Sequence, residues 1–262
     1  MADDDRLARP TRVRREPPPL LPVEVVERVE RTPRLLRLTF EGDGVRGLVV
    51  DGPAASVRLL VPTPGTAELV IPEWNGNEFL LPDGSRPALR TFTPLRIDDD
   101  NGRLDIEVVR HPGGAVSEWA ECVGPGAPAA ISGPGTGYEF PRSADHLIVL
   151  ADETALPAVT QLIDMAPAGL SLEIHVEVVT SAAELDVELR ETDSITWHVA
   201  HDEVPGSRIV DVARSLDALP DGAFVWAAGE ASAMHAIRTH LFDVLGVDRK
   251  RATVRGYWKP SR

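Results

Sequence analysis

Arg90, Phe92 and Thr93 lie in the run Arg90-Thr91-Phe92-Thr93-Pro94-Leu95-Arg96. In an extended segment they set a phosphate-binding fork, a flat ring and a hydroxyl close together. That set suits the phosphate, the ring system and a ring heteroatom of a flavin nucleotide. Read alone, it is also an ordinary strand with a solvated face. Two further stretches carry comparable chemistry. Gly113-Gly114-Ala115-Val116 leads into Ser117-Glu118-Trp119, a capped helix start whose free N–H groups and positive dipole end can hold a pyrophosphate, though such glycines also occur without a ligand. The ending Arg255-Gly256-Tyr257-Trp258-Lys259 sets two aromatic rings between two cations.

These residues need scaffolds of two kinds. From Val23 to about Ser132, short alternating segments recur between Gly/Pro turns: 23–29, 34–40, 56–61, 90–97, 104–110 and 129–131. That pattern predicts a closed or nearly closed antiparallel barrel of the six-stranded type, with one helix from Ser117 to Val123. From His146 the pattern becomes strand and helix in alternation: strands at 146–151, 172–180, 195–201, 224–228 and 253–257, and helices at 154–165, 208–218 and 231–245. Such alternation predicts a Rossmann-like parallel sheet with ligand-facing loops at the strands' carboxyl ends, here Ala151–Pro157 and Ala228–Ala231. The expected organisation is a two-domain β plus α/β chain. It comprises a Pro- and Arg-rich arm at 1–20, a barrel domain at 21–141 and an α/β domain at 142–262.

Composition narrows the partners. A chain of 262 residues with a net charge of −14 is long enough for two cores and is poorly suited to a nucleic-acid backbone. No apolar run approaches a membrane span and the N-terminus has no signal-peptide pattern, so the expectation is a cytoplasmic monomer without membrane insertion. The single cysteine, Cys122, rules out an internal disulfide or a cysteine-built metal cluster within one chain and is expected to be a small buried hydrophobe. Residues 249–262 hold Arg249, Lys250, Arg251, Arg255, Lys259 and Arg262 with no acid, either an exposed basic tail or a means of steering an anionic ligand. A hydrolase nucleophile elbow is missing. His198 and His201, three apart on a predicted strand, face opposite ways and are expected to be solvated or strand-end histidines rather than metal ligands.

The order and spacing of several stretches resemble the siderophore-interacting proteins, an FAD-binding branch of the ferredoxin–NADP reductase architecture. These stretches are 29–40, Arg90–Arg96, His111–Ala120, Asp152–Ala158, Trp226–Glu230 and Gly256–Lys259, and the resemblance spans about residues 23 to 260. It implies FAD as cofactor, with Arg90 near the phosphates, Phe92 and Thr93 at the ring, His111 before the phosphate loop, and Ala115, Val116 and Ser117 at the pyrophosphate. It further implies NADPH or NADH on loops containing Asp152, Glu153, Thr154, Gly229 and Glu230, and Tyr257 and Trp258 bordering the flavin. Arg58, Arg255 and Lys259 are candidate contacts to an anionic ferric siderophore. The implied activity is reduction of the siderophore's Fe(III) to Fe(II). Ferredoxin as donor, a siderophore-carrying flavoprotein, and a flavin or quinone reductase are the alternatives.

The chain departs from the family pattern at several places. Phe92 stands where Tyr is frequent, Thr136 where many relatives carry Arg, and Pro260 where a glycine often follows. Asp152 and Glu153 put two carboxylates where a nucleotide phosphate approaches, which costs affinity unless their side chains turn away. Thr180 and Ser181 do not separate NADPH from NADH.

Overall fold

The computed structural model describes residues 17, 19–201 and 203–260. Most of the expected arm at 1–20 lies outside the described residues. The first half contains β1 (Leu21–Thr32), β2 (Leu35–Glu41), β3 (Val57–Leu60), a small hairpin of β4 (Glu73–Trp74) and β5 (Phe79–Leu80), then β6 (Leu89–Phe92), β7 (Pro94–Asp98), β8 (Arg103–Val109), α1 (Ala115–Cys122) and β9 (Pro128–Ser132). Seven of the strands form one antiparallel sheet in the order β6-β3-β9-β1-β2-β8-β7. Its two edge strands, β6 and β7, follow each other in sequence with only Thr93 between them. The sheet therefore curls until its edges belong to one segment of chain.

That corner corrects the expectation of a single strand over 90–97. Pro94 has no N–H for the ladder and restricts the residue before it, so pairing changes sides at Thr93. Inside the barrel, Val25, Leu36, Leu38, Phe40, Leu59, Leu104, Ile106 and Ile131 form the buried core. Helix α1 closes one end, with Val116 and Ala120 buried and Trp119 stacked on Phe40 at 6.4 Å. It begins two residues earlier than predicted because Gly114, not Ser117, is its first flanking residue. Cys122, expected to be buried, is exposed at the last position of α1.

The second half contains β10 (His146–Asp152), α2 (Leu156–Met165), β11 (Ser171–Val178), β12 (Ser194–Val199), α3 (Ser207–Arg214), β13 (Ala223–Glu230), α4 (Ala231–Thr239) and β14 (Ala252–Trp258). They build a parallel sheet in the order β12-β11-β10-β13-β14. Strand β13 is buried along its whole length, as a central strand covered on both faces must be. It extends through Gly229 and Glu230, which were expected in a loop. Leu147, Val149, Ile174 and Trp226 pack with α2 on one face, while Ile148, Leu150, Val225 and Ala227 pack with α3 and α4 on the other. Among the described residues, no helix is long and apolar enough to cross a membrane.

The halves are joined by polar contacts between named elements. Gln161 of α2 accepts the Ala54 N–H at 2.8 Å and donates to the Pro94 carbonyl at 2.6 Å. Ala54 is buried and adopts a left-handed backbone, φ 57°, which leaves its N–H dependent on that one side chain. Replacing Gln161 with Leu should therefore strand a buried donor and lower stability by about 1–3 kcal/mol. Urea unfolding followed by far-ultraviolet circular dichroism would measure it, and an unchanged midpoint would mean that water replaces the amide.

Candidate functional site

A cleft of about 1110 Å³ runs between the barrel corner, the start of α1 and the carboxyl edge of the parallel sheet. It gathers Arg90, Phe92, Thr93, His111, Ala115, Val116, Ser117, Asp152, Glu153, Thr154, Arg255, Tyr257, Trp258 and Lys259. Fourteen positions from four separate stretches of sequence thus share one wall system. Arg58 is not among them: its guanidinium lies 6.0 Å from the centre of the Phe79 ring in the β4–β5 hairpin. Gly229 and Glu230 lie behind the wall, with Glu230 only 3% exposed.

The barrel side of the cleft is open to an anion. Helix α1 has no side-chain cap on its first turn. Gly113, at φ 74°, turns the chain into it, a conformation that favours glycine. Ser117 accepts the His111 N–H and Glu118 accepts the Gly113 N–H, both at 2.9 Å, so the loop is pinned from below while the first N–H groups of the helix stay unbonded by side chains. Arg90 is exposed and makes no ion pair among the described residues; its Nη1 donates only to the Leu89 carbonyl. A guanidinium and an uncapped helix start on one cleft are a complementary seat for a diphosphate.

The ring side is aromatic. A register shift in the pairing of β13 with β14 leaves Tyr257 as an extra residue, so that Tyr257 and Trp258, though adjacent in sequence, both line the cleft. Tyr257 meets Trp226 edge-on at 6.5 Å, and its hydroxyl lies near Thr93. Burial holds its phenol above the ordinary value. Thr93, buried at the barrel corner, thus faces the last strand. Phe92 remains half-exposed, packed on the barrel core from one side.

The carboxylates of Asp152 and Glu153 line the cleft, and each is engaged by donors of the chain itself. Asp152 Oδ1 accepts the Thr154 N–H and hydroxyl at 2.9 and 2.5 Å, and Oδ2 accepts the Glu230 N–H at 2.9 Å and the Trp258 indole N–H at 2.7 Å. Gly229 makes room for it, since a Cβ there would sit 2.6 Å from Asp152 Oδ2. Glu153 is bound by Arg34, with Nε to Oε1 at 2.8 Å. Glu230 caps α4 by accepting the Ser232 and Ala233 N–H groups at 2.6 and 2.8 Å.

Arg34 and Glu177 were not singled out from sequence, and both line the cleft. Glu177 accepts the N–H groups of Gly206 at 2.5 Å and Arg208 at 2.8 Å, and burial raises its carboxyl above the usual range. Glu177 continues the period-two polar face of Ser171, Glu173 and His175 on β11, so no local signal in the sequence set it apart. The basic tail is partly spent on packing: Arg249 lies over Phe242, and Arg251 donates to the Pro220 and Ala223 carbonyls. His198 lies 3.0 Å from His175 across β11 and β12, while His201 is exposed beyond the strand.

Fold and cleft together define a two-domain protein of ferredoxin–NADP reductase architecture. The ferredoxin–NADP+ reductase of Plasmodium falciparum superposes with a TM-score of 0.60 at 12% identity, over 91% of this chain and 96% of that one, a likeness of fold alone. The chain belongs to the siderophore-interacting protein family: residues 24–138 match the siderophore-interacting FAD-binding domain and residues 144–261 match the siderophore-interacting protein domain. A siderophore utilization protein from T. fusca is 32% identical with a TM-score of 0.83, covering 94% of this chain and 95% of that one. The ferric vibriobactin reductase ViuB of Vibrio cholerae is 26% identical over 87% of this chain and 85% of its own length.

Burial pushes the Asp152 carboxyl up to about 6, against the opposing pull of its Thr154, Trp258 and Glu230 donors. A carboxyl raised in the folded state makes its stabilising contribution at low pH and loses it as pH rises through the folded value. The stability of the native chain relative to an Asp152→Asn variant should fall between pH 4 and 6, by about 3 kcal/mol at most, and be flat above 7. Urea midpoints of both proteins across that range would test this, and parallel pH profiles would overturn it.

Proposed function

We propose that this chain holds FAD in the cleft and uses it to reduce the Fe(III) of a siderophore to Fe(II), drawing electrons from a reduced nicotinamide, NADPH or NADH. The observation that carries the reading is the meeting of an uncapped helix start and unpaired Arg90 with the aromatic group Phe92, Tyr257 and Trp258. In this reading Arg90 and the N–H groups of Ala115, Val116 and Ser117 take the diphosphate. Phe92, Tyr257 and Trp258 bound the ring and exclude water from it. FAD supplies the conversion of a two-electron donor into single-electron delivery, so that one nicotinamide reduces two Fe(III) and releases one proton. Hard oxygen ligands hold Fe(II) less tightly than Fe(III), and the metal leaves.

No side chain is asked to act as acid, base or nucleophile. Arg255 and Lys259, at the cleft on the final strand and just beyond it, attract an anionic chelate on an otherwise acidic protein. The relationship to ViuB, whose name states a ferric vibriobactin reductase, supports the same reaction class. The same two cations favour a second reading, in which an acidic ferredoxin docks at the cleft and supplies the electrons.

An anaerobic absorbance experiment tests both. NADPH should bleach FAD-loaded protein, and a ferric siderophore should then restore the absorbance while an Fe(II) trap develops colour. Bleaching only by reduced ferredoxin, with a rate that falls as salt rises, would select the second reading. Replacing Arg90 with Ala should weaken FAD binding by about 10- to 100-fold, the loss of a charge-assisted pair of hydrogen bonds. Fluorescence titration of free FAD would check it, and unchanged affinity would remove Arg90 from the phosphate site.

A further inference from the structure

The cleft continues past the flavin region across the carboxyl edge of the parallel sheet, where Glu177, Val179, His201, Glu203 and Pro205 line it. In folds of this type that edge is where helix N-termini receive the phosphates of a dinucleotide. Here each of these starts, or the turn that leads into it, already holds one of the chain's own carboxylates. Asp152 closes the turn that leads into α2, Glu177 reaches from β11 to the start of α3, and Glu230 closes α4. The three carboxylates are 5%, 5% and 3% exposed, so none is a mobile surface group that swings aside. The N–H groups of Thr154, Gly206, Arg208, Ser232 and Ala233 donate to them.

Two of the cations nearest these starts are engaged, Arg34 with Glu153 and Arg208 with Glu203, while Arg255 and Lys259 line the cleft from the last strand. A phosphate arriving at the helix starts of the α/β domain would meet buried carboxylates, whereas the start of α1 along the same cleft has no side-chain cap. The helix starts at the two ends of the cleft thus differ: that of α1 is open to an anion, and the others already hold the chain's own.

We infer that the helix starts of the α/β domain offer no seat to the phosphates of a dinucleotide, so that a nicotinamide donor is recognised by its dihydronicotinamide ring and not by its adenylate. This rests on the nicotinamide-donor reading above for the identity of the donor, and on the filled helix starts for how it is bound. NADPH, NADH and a phosphate-free donor, dihydronicotinamide riboside, become equivalent substrates. Glu177 is the determinant most open to test, because it lines the cleft and its two backbone donors belong to another element.

The test begins with binding. ADP-ribose and 2′-phospho-ADP-ribose, which carry the phosphates without the redox ring, are titrated calorimetrically into FAD-loaded protein. Neither should bind below about 1 mM, and micromolar binding of either would overturn the proposal. Glu177→Gln keeps one acceptor for α3 and removes the charge. It should bind ADP-ribose at least about fivefold more tightly than the native chain, with FAD affinity unchanged. A folded variant as blind to ADP-ribose as the native chain would take the exclusion away from this carboxylate.

Stopped-flow bleaching by NADPH, NADH and dihydronicotinamide riboside, on the unsubstituted protein, completes the test. Second-order rates within about threefold of each other are expected, and a preference of about tenfold or more for either dinucleotide would overturn the proposal. If none of the three bleaches the flavin while chemically reduced flavin still yields Fe(II), the nicotinamide-donor reading fails. The silence of ADP-ribose in that case still upholds the filled helix starts.

Discussion

The buried carboxylate of Asp152 is the contact on which the cleft depends. It ends β10, accepts from the turn that begins α2, accepts from the backbone where β13 passes into α4, and accepts from the indole of Trp258. Four donors from three parts of the chain converge on two oxygens, so the relative position of the central strands and the last strand is set by one side chain. A neutral amide of the same shape would face two of those donors with a third, and an apolar residue would strand all four. The glycine at 229 belongs to the same arrangement, since a larger residue would occupy the carboxylate's space.

From that knot the remaining geometry follows in short steps. Fixing Trp258 fixes the end of β14, and the bulge there turns Tyr257 onto Trp226 and toward Thr93. Thr93 is the corner at which the barrel sheet passes from one edge to the other. Tyr257 and Thr93 therefore bring together the two places where each half departs from regular structure. Arg34, in the tight connection between β1 and β2, makes a parallel link by binding Glu153, one residue after the knot. The cleft is bounded by irregularities, a corner, a bulge and an uncapped helix, held by polar contacts between the halves beside an apolar seam in which Leu35 and Ala54 join the α2 face of the parallel sheet.

Much of this was legible in the sequence. Period-two alternation over 23–132 and strand–helix alternation after 146 each reflect which faces are covered, although β8 is buried on both faces, Asp105 and Glu107 included. Arg90, Phe92, Ser117, Tyr257 and Trp258 could be grouped because their local settings are chemically distinctive. Arg58 looked equally suitable but lies outside the cleft, since on β3 its side chain reaches the β4–β5 hairpin, and two strands of two residues each leave little pattern to read. Arg34 and Glu177 were missed for a related reason. Each acts through a partner more than 25 residues away, and local periodicity carries no information about which distant backbone groups a strand end will meet.

The acids at the sheet edge and the glycines before α1 show two ways of treating a helix start. A helix start presents unbonded N–H groups and a positive dipole end, which an anion satisfies well. A glycine-rich loop leaves that task to a ligand's phosphate, whereas an acid on the strand performs it internally, rigidly and at the cost of burying charge. Among the described residues the first solution is used once, at Gly113 and Gly114 before α1, and the second three times, at Asp152, Glu177 and Glu230. A permanently bound anion belongs where the N–H groups are free, because there its departure leaves donors unmet. An edge satisfied by its own carboxylates needs no ligand to complete it, so the second half of the fold can serve as a rigid wall to the cleft.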